Sequence, residues 1–393
     1  MNVYILTREP FPIGMAATNR IKNYAKGLIC NGINCKVIVT HRTEPHSANR
    51  NIEACGIADD IIPFSYIPHT PRRSSRFLMR RIDDFVDGLQ ITKWVRKNIH
   101  KGDVIIYFEP RFSHTISIIN QCHRNGGKIV RELCEYPFAT RNDSPKTRVK
   151  RWLYTNLYMS RFDGFIAISQ ALEQYANMVK SIKASIIKVP ILVEANQYEG
   201  IERYTHKKPY IFHAGTMYER KDAIVSTMKA FALASKEIGY SVDFILAGPE
   251  SPHKQELDQI IADSNLTDNV HFIGSLTHEE VLRYQKGAWL TILNKHDNVQ
   301  NRNGFSTKLG DVLLAGTPVI TTTVGEANNW LKDGESALIT EPHNIEAIAA
   351  QIIRAYNEPE LLNKIAVECQ NVAKENFDYR TQGKRLQEYF EHI

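Results

Sequence analysis

Asn303 to Ile320, NGFSTKLGDVLLAGTPVI, is the stretch that decides how this chain folds. Ser306 and Thr307 are good helix N-caps, and residues 308–315 carry Leu309, Val312 and Leu313 at helical spacing. Gly316 supplies a left-handed stop, and Pro318 opens a strand that continues Val-Ile-Thr. Loop, short helix and buried strand in this order belong to an α/β domain. A helix start with free backbone N–H groups, two hydroxyls and Lys308 attracts anions. Every α/β protein has helix starts, so these residues permit a phosphate site without requiring one.

Outward from this stretch, short β-rich runs alternate with helical patterns. The front half offers strands at 3–6, 36–40, 104–108, 128–131, 164–168 and 186–189. The back half offers 210–214, 242–246, 270–273, 289–293, 319–322 and 337–339. Between the first two strands, Ile21, Tyr24, Ala25, Leu28 and Ile29 follow the spacing of an amphipathic helix. Alternation of this kind predicts parallel sheets covered by helices on both faces. A chain of 393 residues is also too long for one ordinary core. The expectation is two Rossmann-like doubly wound domains, at 1–195 and 209–375, joined by a polar linker at 196–208. A final helix over 376–393 should cross back to the first domain. Ligands of such domains bind outside the carboxyl ends of the strands.

Composition is that of a soluble globular protein, with 43% hydrophobic and 23% charged residues. No apolar run reaches the roughly 18 residues that span a bilayer, and the N-terminus begins directly with a strand rather than a signal peptide. The six cysteines have neither zinc-ligand nor redox spacing, which fits a reducing cytoplasm. The net charge of +6 is uneven: residues 1–200 are basic and the remainder acidic. Arg72, Arg73, Arg76, Arg80 and Arg81, interleaved with Phe77, Leu78 and Met79, suit an anionic membrane surface. The competing reading is a solvated helix pairing with Asp83, Asp84 and Asp87. No nucleic-acid-binding module accompanies the patch.

A second phosphate-binding candidate is FHAGTMYERKD, residues 212–222. Gly215 turns the chain after a strand, Arg220 and Lys221 stand at the next helix start, and Asp222 can cap that helix. The 303–320 segment, with Gly304-Phe305, Asp311 and Ala315-Gly-Thr-Pro-Val-Ile320, resembles the donor-sugar signature of retaining glycosyltransferases of the two-domain GT-B fold, in particular family 4. That resemblance covers nearly the whole chain and implies transfer of a sugar from a nucleoside diphosphate to a hydroxyl of a surface glycan or lipid-linked acceptor. It implies no cofactor and no metal, since protein cations stabilise the leaving diphosphate. It also implies a cytoplasmic protein, with peripheral attachment to the inner membrane face open to it. Two positions depart from the family: Asn303 stands where a glutamate is usual, and Thr216 where an arginine is usual.

By the same resemblance, Lys221 is the phosphate lysine and Arg220 can replace the missing charge. Thr307 and Lys308 would hold phosphate, and Asp311 would accept from the ribose hydroxyls. Asn303 would orient the donor sugar without ionic support for an oxocarbenium-like centre. Gly14, Gly215, Gly304, Phe305, Ser306 and Leu309 complete the donor set. Glu135, in Arg131-Glu-Leu-Cys-Glu-Tyr-Pro137, is the acceptor-side candidate, with Arg131 beside it and Glu132 as competitor. Glu9 and Asn19 are weaker candidates, and His213, inside an apolar strand, reads as a satisfied core histidine. No His, Asp or Glu cluster has metal-ligand spacing. Three other functions fit parts of the pattern: a non-catalytic binding homologue, a sugar epimerase and a nicotinamide oxidoreductase. The last lacks a complete Gly-x-Gly-x-x-Gly after the first strand.

Overall fold

A computed structural model describes residues 1–47, 50–108, 114–138 and 144–393. The chain divides into two compact units: residues 1–192 with 379–393, and residues 193–378. Each is a helix-covered, largely parallel sheet.

The first unit is built on β1 (Asn2–Thr7), β2 (Asn34–Val39), β3 (Cys55–Ala58), β4 (Ile62–Tyr66), β5 (Val104–Tyr107), β6 (Lys128–Leu133), β7 (Gly164–Ala167) and β8 (Ser185–Lys188). They lie in the order β3-β4-β2-β1-β5-β6-β7-β8. Every pair is parallel except β3 with β4. Central strands β5 and β7 are buried at every position, as strands covered on both faces must be. The helices are α1 (Ala16–Cys30), α2 (Phe77–Asn98), α3 (Thr115–Arg124), α4 (Pro145–Leu153) and α5 (Gln170–Val179). In α1, Ile21, Tyr24, Ala25 and Leu28 are buried in the core with Val3, Ile5 and Val37. β3 and β4 form a short hairpin at the sheet edge, and so carry little signal in the sequence. Asp59 and Asp60 take positive φ at its turn.

The second unit holds β9 (Tyr210–Ala214), β10 (Asp243–Ala247), β11 (Val270–Phe272), β12 (Thr291–Leu293), β13 (Val319–Thr322) and β14 (Leu338–Thr340). Two parallel ribbons, β11-β10-β9 and β12-β13-β14, meet at a bridge between Ile211 and Leu290. Around them lie α6 (Glu219–Asp222), α7 (Ile224–Glu237), α8 (Lys254–Asp263), α9 (His278–Gly287), α10 (Val299–Asn303), α11 (Thr307–Leu314), α12 (Ile345–Asn357) and α13 (Pro359–Phe377). Phe231, Phe244, Leu246 and Ile352 anchor the core. Residues 197–208 pack onto this unit: Tyr204 stacks on Tyr284 at 4.0 Å, and Lys286 donates to the carbonyls of Tyr198 and Ile201.

The C-terminal helix α14 (Tyr379–Glu391) packs on α1 within the first unit. Among the described residues, no helix is long and apolar enough to cross a membrane.

Candidate functional site

The cations gather where the sequence places the strand ends of the second unit. β9 stops at Ala214, and Gly215 turns the chain with its N–H donating to the Ala247 carbonyl at 2.9 Å. A side chain at 215 would meet the Lys308 ammonium at 2.2 Å, so only glycine leaves Lys308 its place. After one helical turn, α6, the chain passes through Ala223 at φ 45° into α7. The N-cap of α7 is Ala223, and the side chain that accepts from the helix start is not Asp222, as its position in sequence suggested, but Glu219. Glu219 accepts from the Val225 N–H at 2.6 Å, from the Ser226 hydroxyl and from His296. One turn of helix carries Glu219 over the α7 start and points Asp222 inward.

Asp222 is buried and accepts from Lys295 at 3.1 Å and Lys308 at 3.2 Å. Burial pushes its carboxyl up, but the two ammoniums outweigh that and hold it well below the usual carboxylate range. Lys308 is pulled down to about 8: burial disfavours its charge, Asp222 restores part of it, and Lys295 and Lys221 repel it. Lys295 shifts the same way, by burial first. Lys221 itself is exposed, and its carbonyl accepts from Lys295. Arg220 is likewise exposed, with its carbonyl holding the Asn298 amide. Two lysines thus share one buried carboxylate, with exposed Lys221 nearby, leaving a positive excess at the strand ends.

His213 departs from expectation. It is buried, yet its Nε2 has no hydrogen-bond partner, so it is not a satisfied core histidine. Burial first, then Lys308, drives its pKa down to about 3, so the ring is neutral at physiological pH. With Tyr198, His278, Lys308 and Asp311 it lines a cavity floored by Phe212, Leu293 and Val312. Lys295 and the unpaired His213 nitrogen are the residues sequence reasoning missed. Lys295 stands two positions past β12, so its place at a carboxyl strand end was the available signal.

The α11 start is open. Ser306 is its N-cap, but its side chain makes no capping hydrogen bond, which leaves the first N–H groups for another acceptor. Gly316 takes φ 70° at the far end, as the sequence requires. Phe305 and Leu309 are buried, Phe305 edge-on to Phe377 at 5.7 Å, so both serve packing and could offer a ligand only backbone. Asn303 ends α10 and donates from Nδ2 to the Val299 carbonyl at 2.7 Å. Asp311 accepts from Gln197 at 3.0 Å, and its carbonyl accepts from Tyr198. Burial raises its pKa. Thr216 is half-buried beside the Gly215 turn.

In the first unit, exposed Glu135 lies just past β6 and near enough to Glu9 that, after burial, it is what raises the Glu9 pKa. Arg131 is a correction. It is buried, donates to the Tyr107 carbonyl at 2.8 Å and covers the Tyr107 ring, so it braces the sheet rather than reaching a ligand. Glu132, the competitor, is locked at 2.8 Å to buried Arg20, which also holds the carbonyls of Val189 and Pro190. Gly14 sits tight against Thr18, whose hydroxyl donates to the Pro10 carbonyl.

Arg72, Arg73, Arg76, Arg80 and Arg81 are all exposed, on α2 and the residues leading into it. The aspartates expected to pair with them are taken by other cations: Arg42 holds Asp83 and Asp87, and Arg8 holds Asp84. Arg80 and Arg81 lie instead over the Phe77 ring. Phe77 and Leu78, between the arginines, and Ile82 and Phe85, just after them, are exposed.

Residues 196–371 match the family described as Glycosyl transferases group 1. A 2-deoxystreptamine N-acetyl-D-glucosaminyltransferase of Niallia circulans is 26% identical over 176 residues, 42% of this chain and 43% of that protein. The chain spans about half the length of the curated relatives it matches. Among solved structures, a sucrose-phosphate synthase from Thermosynechococcus elongatus is similar at a TM-score of 0.73 and 13% identity, over 99% of this chain and 98% of that one. Anabaena Alr3699/HepE, solved with UDP and glucose, gives 0.70 and 15% identity, over 100% of both chains. Residues 196–371, within the second unit, are thus similar to glycosyl transferases group 1, and the chain as a whole has the two-domain GT-B fold.

Proposed function

We propose that this chain moves a sugar from a nucleoside-diphosphate sugar to a hydroxyl acceptor, with retention of configuration. The observation that carries the reading is the pair of Lys308 and Lys295 on buried Asp222, with the Lys221 charge nearby, beside an uncapped helix start. Breaking the glycosidic bond leaves negative charge on a diphosphate, and fixed cations and N–H groups there stabilise the transition state. Lys308, Lys221 and the Thr307–Lys308 amides are assigned to the diphosphate, with Arg220 in support. On this reading they do the work a metal ion does elsewhere. Asp311 is assigned to the ribose, Asn303 and Gly304 to the sugar. Glu135, with Glu9, positions the attacking hydroxyl of a glycan or lipid-linked acceptor. The exposed arginines and aromatic side chains of α2 would hold the enzyme on an anionic membrane from the cytoplasmic side.

The test starts with binding, because a ligand of the folded state raises its melting temperature. A panel of nucleoside diphosphates and their sugars should contain at least one that stabilises the protein. Transfer is then followed with that donor, and Lys221→Ala should lower kcat/KM by roughly 2–4 kcal/mol in barrier terms. A panel with no stabilising nucleotide would end the proposal. Binding without turnover under any acceptor would favour a second reading, a non-catalytic homologue. The Asn303 amide, turned onto its own helix, motivates that alternative. Glutamine at all five arginines should abolish salt-sensitive binding to anionic vesicles, and retained binding would remove the membrane from the reading.

A further inference from the structure

At the opposite end of the β9–β10 ribbon from the lysine cluster, three potential ligands converge. Asp243 opens β10, His271 lies in β11, and His206 stands in the segment leading into β9. His206 Nε2 is 2.8 Å and His271 Nε2 3.4 Å from the same carboxylate oxygen, Asp243 Oδ2. All three ligand atoms lie within 4.8 Å of one another. The other carboxylate oxygen, Oδ1, is occupied: the Asn269 amide donates to it at 2.9 Å, and Lys208 approaches at 3.3 Å. Asp243 is therefore oriented by outer partners on one oxygen and presents the other to two imidazoles, the division of labour of a metal-ligating carboxylate.

We infer that His206, Asp243 and His271 form a binding site for a divalent transition ion of the Zn²⁺ type. Two imidazoles and one carboxylate suit Zn²⁺, Co²⁺ or Ni²⁺, whereas Mg²⁺ and Ca²⁺ prefer oxygen ligands. Both histidines are partly exposed, at 19% and 35% of their side-chain surface, so an ion can enter and water can complete a fourth position. Each ring binds through Nε2 with its proton on Nδ1. Lys208 is itself drawn away from the ligand oxygen by the Tyr240 carbonyl, to which it donates at 3.2 Å. Asp243 and Ala247 are the two ends of β10, so the ion lies a strand length, about 13 Å, from the phosphate end and has no direct part in transfer.

Its role follows from what His206 belongs to. Tyr204 stacks on Tyr284 and Lys286 clasps the carbonyls of Tyr198 and Ile201, so residues 198–206 form a strap along α9. Gln197 and Tyr198, at the far end, hold Asp311. An ion on His206 pins the near end of the same strap to the sheet. Sequence spacing hid the group because its members are 37 and 28 residues apart.

The experiment uses the full chain after chelation, with the exposed thiols of Cys30 and Cys55 replaced by serine to remove competing soft ligands. Zn²⁺ titrated calorimetrically should bind one per chain and raise the melting temperature. Co²⁺ in its place should give the visible absorption of a four-coordinate nitrogen and oxygen site. His206→Ala and His271→Ala should each weaken Zn²⁺ binding at least about tenfold and remove the Co²⁺ band while the variants remain folded by circular dichroism. Unchanged Zn²⁺ uptake in either variant, or no saturable uptake by the parent, overturns the inference. Both results stand apart from nucleotide binding.

Discussion

Replacing Lys308 with methionine tests the electrostatic reading most directly. Asp222 carries one negative charge and is shared by Lys308 at 3.2 Å and Lys295 at 3.1 Å, so the trio presents a single positive charge. Methionine keeps the stem that packs beside Gly215 and leaves a neutral Asp222–Lys295 pair. At about 4 Å, with an effective dielectric of ~20, one unit charge interacts with another by about 4 kcal/mol. Solvent and the remaining Lys221 recover part of this. A fall in kcat/KM of about 10²–10³-fold is the expected result. The pH profile supplies the decisive half of the test. With the Lys308 pKa at about 8, the ammonium deprotonates just above physiological pH in the ligand-free protein. The profile of kcat/KM reports the free enzyme, so it should drop about tenfold per pH unit beyond pH 8. In the bound state the diphosphate favours the charged lysine, so the same limb in kcat should lie at higher pH.

Initial rates across pH 6.5–10 for the parent, Lys308→Met and Lys308→Arg measure this. Methionine should lower the plateau and abolish the alkaline limb, because no proton is left to lose. Arginine should give a reduced but flat profile, since its guanidinium stays charged throughout. If Lys308→Met keeps both its plateau and its limb near pH 8, the charge at the strand ends belongs to another group and the proposed role of Lys308 fails.

Three further outcomes follow from the same geometry. Asp222→Asn strips two half-buried ammoniums of their counter-ion; it should cost up to about 3 kcal/mol in denaturant unfolding and move the alkaline limb to lower pH. His213 stays neutral down to about pH 3, whereas the unfolded chain protonates it near 6.5. Its share of stability is therefore complete above pH 6.5 and is lost progressively as pH falls to 3. His213→Gln should flatten the rise in stability seen between pH 4 and 6.5 by up to about 1.4 kcal/mol per unit. Gly383→Ala places a methyl 2.3 Å from the Gly27 carbonyl, where α1 and α14 touch; it should destabilise the chain by about 1–3 kcal/mol in thermal or urea unfolding.

Parallel strands buried on both faces announce themselves as unbroken apolar runs, which is why the central strands of both units could be read from residue order alone. The β3–β4 hairpin could not. It is short, lies at the sheet edge, and mixes exposed Cys55 and Ile57 with buried Phe64. The candidate site was legible in the same uneven way. Lys308 and the Gly316 stop follow from helix-end chemistry, a local signal. What Asp222 does is not local: a cap and a buried counter-ion have the same sequence neighbourhood, and the choice turned on Glu219 reaching the α7 start first. Arg131 shows the reverse case. A basic residue in Arg-Glu-Leu-Cys-Glu reads as a substrate contact until strand register turns it into the core against Tyr107.

The Asp222 arrangement also explains how a cation cluster can exist before its ligand arrives. Lys308 and Lys295 lose hydration and repel each other, which draws both toward the neutral form, and Lys221 adds to the repulsion. One buried carboxylate between two of them offsets that cost, yet it also cancels one unit of the charge offered to a diphosphate. The compromise is visible in Lys308, which remains a base of about 8 instead of becoming fully neutral. On the proposed function, a diphosphate would complete what Asp222 begins, supplying the negative charge that favours the protonated forms of Lys308 and Lys295. Binding should therefore draw in protons above pH 8. Calorimetric titrations in buffers of different ionisation enthalpy would measure that uptake directly, and Lys308→Met should reduce it.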